Sequence, residues 1–190
     1  MTIAKKVEEG KLQIRNVNQV EVFKSYTEII LFRNGKEYRS KVDTAELGKI
    51  LAYKWRISGA DNSMYVKTWL HSPRAGKRKE TGLHNFILGE SPKGMVIDHI
   101  NGDTFDNRRI NLRFATPSQN QCNQTKIKSS NTSGYRGVHK KGDKWIAQIY
   151  HNNKKLGLGY FNTPQEAALA YNDKAIELRG EFASINDLKS

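Results

Sequence analysis

Cysteine is almost missing from this sequence: Cys122 is the single one in 190 residues. That excludes an internal disulfide and a cysteine-based structural zinc site, and it leaves Cys122 as a small buried or half-buried side chain. Long apolar runs are missing as well. No stretch approaches the ~18 residues of a membrane-spanning helix, and the N-terminus has no apolar core of the signal-peptide kind. A protein that is neither secreted nor membrane-bound, and so cytoplasmic, is expected. Acidic residues are scarce beside basic ones, 19 against 32, for a net charge of +13. Such an excess points first to nucleic acid, and only second to an anionic membrane or a merely solvated basic surface. What remains is ordinary: 37% hydrophobic and 27% charged residues suit a soluble globular chain of one large or two to three small domains.

Residues 1 to about 24 carry no clear period. From Thr27 a hairpin is predicted, Glu28–Phe32 returning as Lys36–Val42 through Asn34-Gly35. Asp43-Thr-Ala-Glu46 has the form of a capping box, and Leu47, Ile50 and Leu51 predict a helix to about Tyr53. Lys54–Ile57 and Met64–Trp69 read as strands, with Trp55 and Trp69 expected in the core. The run from His71 to Lys79 is expected as a basic loop, in which Arg74, Lys77 and Arg78 are candidates to track DNA phosphates. Leu83–Leu88 is a short apolar helix or turn in which His84 is expected to pack rather than ligate.

The chemistry-bearing stretch is 94–120. Met95–Ile97 ends in Asp98-His99, a polar loop leads to a second short apolar run, and Thr116, Pro117 and Gln119 mark a helix start that places Asn120 in its first turn. Asp98 and Asn120 would supply one carboxylate and one amide oxygen, a set suited to Mg²⁺ or Mn²⁺ with water and phosphate filling the remaining positions. His99 is placed to activate a water. Adjacent strand residues point to opposite faces, so the two side chains can share a site only where the strand bends or ends. Asn101, Asp103, Asp106 and Asn107 read as ordinary turn residues.

The runs Val-Ile-Asp98-His99-Ile-Asn-Gly-Asp, Asp106-Asn107-Arg108-Arg109-x-Asn111-Leu112-Arg113 and Ala115-Thr116-x-x-Gln119-Asn120 resemble the HNH endonucleases, in the branch common among phage and intron-encoded enzymes. The resemblance implies a ββα-metal finger in which His99 is the general base, Asp98 and Asn120 hold one divalent ion, and Asn111 braces the loop. The family's usual Leu-His-Arg stands here as Leu83-His84-Asn85.

Beyond a polar linker at 126–132, Gly134–His139, Lys144–Tyr150 and Lys154–Phe161 predict three strands. Thr163-Pro164-Gln165-Glu166 then opens a helix that stops at Gly180. Arg136, Lys140, Lys141, Lys144, Lys154 and Lys155 oppose Asp143 alone in the strands, while the helical half carries more acids than bases. A basic sheet of this kind can enter a major groove. Tyr-Arg-Gly-Val, Lys-Trp-x-Ala-x-Ile, Leu-Gly-x-Phe and Glu-Ala-Ala-x-Ala-Tyr resemble the AP-two/ERF DNA-binding domain. The resemblance implies a DNA face of Arg136, His139, Lys141, Gln148, Tyr150 and Lys155. Trp145 and Tyr160 are expected in the core.

The expected architecture is therefore α+β: an N-terminal α/β segment with a basic arm over 1–80, a finger over 81–128, and a three-stranded antiparallel sheet on one helix over 131–190. The expected partner is double-stranded DNA, bound by a monomer or weak dimer, with no structural zinc.

Overall fold

The computed structural model describes residues 7–8, 11–12, 18–71, 77–123, 127 and 131–188. The expected phosphate contact Arg74 lies outside them. The chain is mixed α and β, with several small antiparallel sheets and few helices. It divides into two compact units, Met1–Ala115 and Thr116–Ser190. The division falls inside the stretch expected to form one finger, between its hairpin and its helix.

In the first unit β1 (Val7–Glu8), β2 (Lys11–Leu12), β3 (Gln19–Val22), β4 (Tyr26–Arg33) and β5 (Lys36–Asp43) form an antiparallel meander in that order. Three of these four strand pairings would be hard to read from a sequence without period, but the β4–β5 hairpin is explicit. Asn34 and Gly35 take φ of 51° and 74°, the left-handed pair a two-residue turn of this hand requires. Strand β4 buries Ile29, Ile30 and Leu31 in succession, as suits an interior strand between β3 and β5.

The expected capping box at Asp43 does not form. Asp43 Oδ2 instead accepts the backbone N–H of Arg109 at 2.8 Å, and Glu46 Oε1 takes the Arg109 Nε–H at 2.8 Å. With both capping carboxylates committed elsewhere, only a 3₁₀ turn (Thr44–Glu46) and one short helix, α1 (Leu47–Ile50), follow. Next come β6 (Arg56–Ser58), β7 (Tyr65–His71) and β8 (Arg78–Gly82), a second antiparallel sheet. Arg78 and Lys79 are thus strand residues that pair with His71 and Leu70, where a loop was expected. Helix α2 (Leu83–Leu88) follows at once, and β9 (Val96–His99) pairs with β10 (Leu112–Ala115). One core joins these pieces: Ile29 and Leu31 of the meander, Trp55, Val66, Leu83 and Ile87, and Leu112 of the hairpin. Trp69 is not in it. Half of its surface is exposed, because alternation along β7 turns Val66 and Thr68 inward and Trp69 out.

The second unit opens with α3 (Pro117–Cys122), whose capping box between Thr116 and Gln119 is complete. Strands β11 (Val138–Lys141), β12 (Lys144–His151) and β13 (Lys154–Phe161) form a meander covered by α4 (Pro164–Arg179). Ala167, Ala168, Tyr171 and Ala175 lie against Val138, Ala147 and Ile149, and the small side chains let helix and sheet approach closely. Trp145 joins this core, whereas Tyr160 is 64% exposed on the other face, as the register opposite Ile146 dictates.

Gly137 marks the tightest approach in this unit. Its φ is +72°, and an added Cβ would fall inside the Tyr171 ring and against the Gln148 carbonyl. Gly134 has a similar φ of +75° but open space around it. Gly137→Ala is therefore expected to destabilise this unit by about 2–5 kcal/mol, strain and overpacking together. Gly134→Ala carries the strain alone, about 1–2 kcal/mol. Urea denaturation followed by circular dichroism separates the two, and equal losses would remove the steric account.

Candidate active site

Asp98 and His99 end strand β9, and the ladder sets their cross-strand neighbours: Arg113 opposite Asp98, Leu112 opposite His99. Both side chains are buried. Arg113 reaches across the pair and places Nε and Nη2 each 2.9 Å from Asp98 Oδ2, so a buried carboxylate is matched by a nearly buried guanidinium. That match answers the cost of taking either charge out of water.

The loop between the strands is laced by amides. Asn111 accepts the Asn101 N–H at 3.0 Å, and its Nδ2 donates to Asn101 Oδ1 at 2.9 Å and to the Asp106 carbonyl at 2.7 Å. Asp103 and Asn101 make the local turns their residue types suggest. Asp106 is also gripped by Arg108, through Nε at 2.7 Å and Nη2 at 2.6 Å. These bonds to Arg108 outweigh burial and hold the Asp106 carboxyl below its ordinary pKa, although burial is the largest single influence and acts the other way.

Asn107, read from sequence as a plain turn residue, has a larger part. It is 1% exposed, and its Oδ1 lies 3.2 Å from His99 Nε2. Its Nδ2 donates to the Thr104 carbonyl at 3.2 Å and to Ser40 Oγ at 3.1 Å. A carbonyl can only accept, so the amide cannot be reversed, and Oδ1 must face the imidazole. His99 therefore carries its proton on Nε2, which makes Nδ1 the basic nitrogen. Burial also depresses the His99 pKa below its ordinary 6.5.

The same loop is fastened to β5. The Lys41 N–H donates to the Phe105 carbonyl and the Asn107 N–H to the Lys41 carbonyl, both at 2.8 Å, and Ser40 Oγ donates to Phe105 O at 2.9 Å. The N-terminal meander thus holds the loop that orients His99.

His84 packs, as expected, but its neighbours are informative. Its ring meets His99 edge-on at 5.4 Å and Tyr65 at 5.6 Å. Burial first, then His99 and Lys67, lower its pKa to about 4. Between pH 6.5 and 4 the unfolded chain holds this proton and the folded one does not, so folding is favoured less as the pH falls through that window. The loss reaches about 3 kcal/mol near pH 4. His84→Phe is expected to remove that part of the acid sensitivity, measured as the difference between variant and wild-type urea midpoints at pH 7 and pH 4.5. A difference that does not change with pH would refute it.

Asn120, the second expected metal ligand, lies in the first turn of α3 and belongs to the second unit. Among the described residues no three His, Cys, Asp or Glu side chains cluster as metal ligands. The Asp98 carboxylate is an oxygen donor of the kind a hard divalent cation takes.

In the second unit strand alternation puts Val138, Ala147 and Ile149 under α4, and His139, Lys141, Gln148 and Tyr150 on the opposite face. Lys155 pairs with Tyr150 there. Arg136 precedes β11, and its backbone is clamped by Asn186, which accepts its N–H at 2.6 Å and donates to its carbonyl at 3.1 Å. Lys77 is exposed just before β8.

A family model described as HNH endonuclease matches residues 86–122. An uncharacterized HNH endonuclease of Acanthamoeba polyphaga mimivirus is 37% identical over 111 residues, 56% of this chain and 57% of that protein. The chain thus spans little more than half of that relative. Protein 3.8 of Escherichia phage T7 is 34% identical over 97 residues, half of this chain and 78% of the phage protein. An ethylene-responsive transcription factor of Arabidopsis thaliana is 41% identical over 56 residues, 27% of this chain and 30% of that protein. A carboxylate and an imidazole at the end of β9 lie inside the matched endonuclease segment. The chain belongs to the HNH endonuclease family, whose members generally depend on a divalent metal.

Proposed function

We propose that this protein is a metal-dependent DNA endonuclease of the homing or phage type that hydrolyses phosphodiester bonds. The observation that carries the reading is the buried His99 ring, its Nε2 held 3.2 Å from Asn107 Oδ1, beside the buried Asp98. In this reading a water gives its proton to His99 Nδ1 as its oxygen attacks phosphorus, and the bond to the 3′ oxygen breaks. The products are a 5′-phosphate and a 3′-hydroxyl end. Asp98 and Asn120 would hold one Mg²⁺ or Mn²⁺. Bound there, the ion supplies charge neutralisation at the phosphate and the leaving oxygen. Asn111 keeps the loop closed around the base.

The second unit's exposed sheet face is proposed as the DNA anchor. Its support is the basic strand set and the weak, partial likeness to the plant transcription factors. Arg136, His139, Lys141, Gln148, Tyr150 and Lys155 would contact the duplex, with Lys77 and Arg78 adding phosphate contacts from the first unit. A single finger acts on one strand, so a monomer nicks and a weak dimer or two successive events cut both strands.

Supercoiled plasmid incubated with protein and Mg²⁺ or Mn²⁺ is expected to relax to nicked circles, and EDTA is expected to prevent it. Plasmid that is bound but left intact with every metal and DNA source would instead make the protein a non-catalytic DNA-binding regulator.

A further inference from the structure

The sheet β6–β7–β8 has one face in the core and one in solvent. Ile57, Val66 and Thr68 point inward. The opposite face presents Tyr65, Lys67, Trp69 and His71 in a row along β7. The register sets Arg56 beside Lys67, Glu80 beside Trp69 and Arg78 beside His71.

One end of this row stands at the candidate active site. The Tyr65 ring is 5.6 Å from His84 and 6.3 Å from His99. Further along, Trp69 exposes half its surface, with the Arg56 guanidinium 5.6 Å from its ring centre. Glu80 accepts from both Arg56 and Lys67, the latter at 3.0 Å, and ties the two cationic heads together on this face. Three permanent cations, Arg56, Lys67 and Arg78, thus share the face with one carboxylate.

We propose that this face seats the DNA strand carrying the scissile phosphate, with Trp69 stacking against a base and Lys67, Arg56 and Arg78 meeting backbone phosphates. The inference rests on the endonuclease reading and adds the place where the substrate is held. A large exposed aromatic amid cations is the combination that binds nucleic acid irrespective of sequence, since every base offers a face to stack on. That tolerance suits a surface beside the chemistry, where register rather than reading is needed. Successive outward residues on a strand stand ~6.7 Å apart, so Trp69 lies about 13 Å from Tyr65. At ~3.4 Å per nucleotide along one strand that is about four nucleotides from the reacting bond, where a base that leaves the duplex stack meets Trp69.

The test uses the full chain in EDTA with duplex DNA containing 5-bromouracil, irradiated and mapped by mass spectrometry, together with steady-state cleavage in Mg²⁺. Adducts are expected on Trp69 or Tyr65. Trp69→Ala is expected to raise KM about 5- to 100-fold, the worth of one stacked base, with kcat little changed. Lys67→Ala should lower the salt slope of binding by about one. Adducts confined to residues 131–188, with Trp69→Ala cleaving at the wild-type KM, overturn the proposal and leave the endonuclease reading standing. No adduct at any residue, together with intact plasmid, overturns both.

Discussion

His99→Ala is expected to lower kcat for plasmid nicking by about 10²- to 10⁴-fold while DNA affinity in EDTA stays within about twofold of wild type. That loss corresponds to about 3–5 kcal/mol of transition-state stabilisation. The expectation follows from what the ring does. It contributes a proton acceptor at Nδ1 and belongs to the first unit, whereas the proposed anchor is the second unit's sheet, so its removal touches the chemical step and not the anchor. The pH dependence has a definite sign. His99 acts only when neutral, and burial holds its pKa below 6.5 against the opposing influence of Asn107, Asp98, Asp103 and Asp106. Cleavage should therefore rise with pH through a value below 6.5 and be level above it, until another group intervenes. His99→Gln keeps a polar side chain toward Asn107 but has no basic nitrogen, and should be as inactive as the alanine variant. A glutamine variant that cuts at more than a tenth of the wild-type rate would show that His99 is not the base.

The sequence displayed the second unit more fully than the first, and the reason is local. Capping boxes at Thr163 and Thr116, Pro at the first helical positions and Gly180 at the helix end are decided within four residues of themselves, so their signals survive without tertiary context. Asp43 carries the same signal and fails, because Arg109, 66 residues away, takes its carboxylate. Trp69 and Tyr160 were misplaced for a related reason. Composition marks an aromatic as core, whereas the pleat decides which face it occupies, and the register was not readable. Strand β8 hid inside a basic run because its pairing with β7 satisfies a backbone whose side chains look like those of a loop.

The candidate site divides along the same line. Asp98, His99 and Asn111 stand in a contiguous pattern and could be picked out, but nothing in Asp106-Asn107 distinguishes a turn from a support. The distinction lies in Ser40, 67 residues upstream, and in the docking of the loop on β5. Residues 26–46, which read from sequence as a hairpin and a helix start with no motif of function, acquire a role from that docking: Ser40 and Lys41 hold the loop, and Asp43 and Glu46 hold Arg109 at its end.

Asn107→Ala should expose this support directly. The residue touches His99 but not the reacting atoms, so it acts as a positioning residue, and its loss should cut kcat about 10- to 100-fold with KM unchanged. Stability should fall by about 1–3 kcal/mol, because Ser40 and Thr104 lose a buried partner. A stability loss alone cannot establish positioning, so the decisive reading is the ring itself. In wild type, ¹⁵N spectra of the histidines should show His99 as the Nε2-protonated tautomer, and in Asn107→Ala a mixture of the two. Asn107→Asp keeps an acceptor for Nε2–H and should retain the single tautomer and more of the activity than the alanine variant, although its second oxygen now faces the Thr104 carbonyl and weakens the fold. Ser40→Ala, one bond further out, should reproduce the Asn107→Ala effect in part, and the double variant should lose less than the sum, since both changes act on one network. An unchanged tautomer with an unchanged kcat in Asn107→Ala would reduce the amide to a packing role and leave the orientation of His99 to the strand end alone.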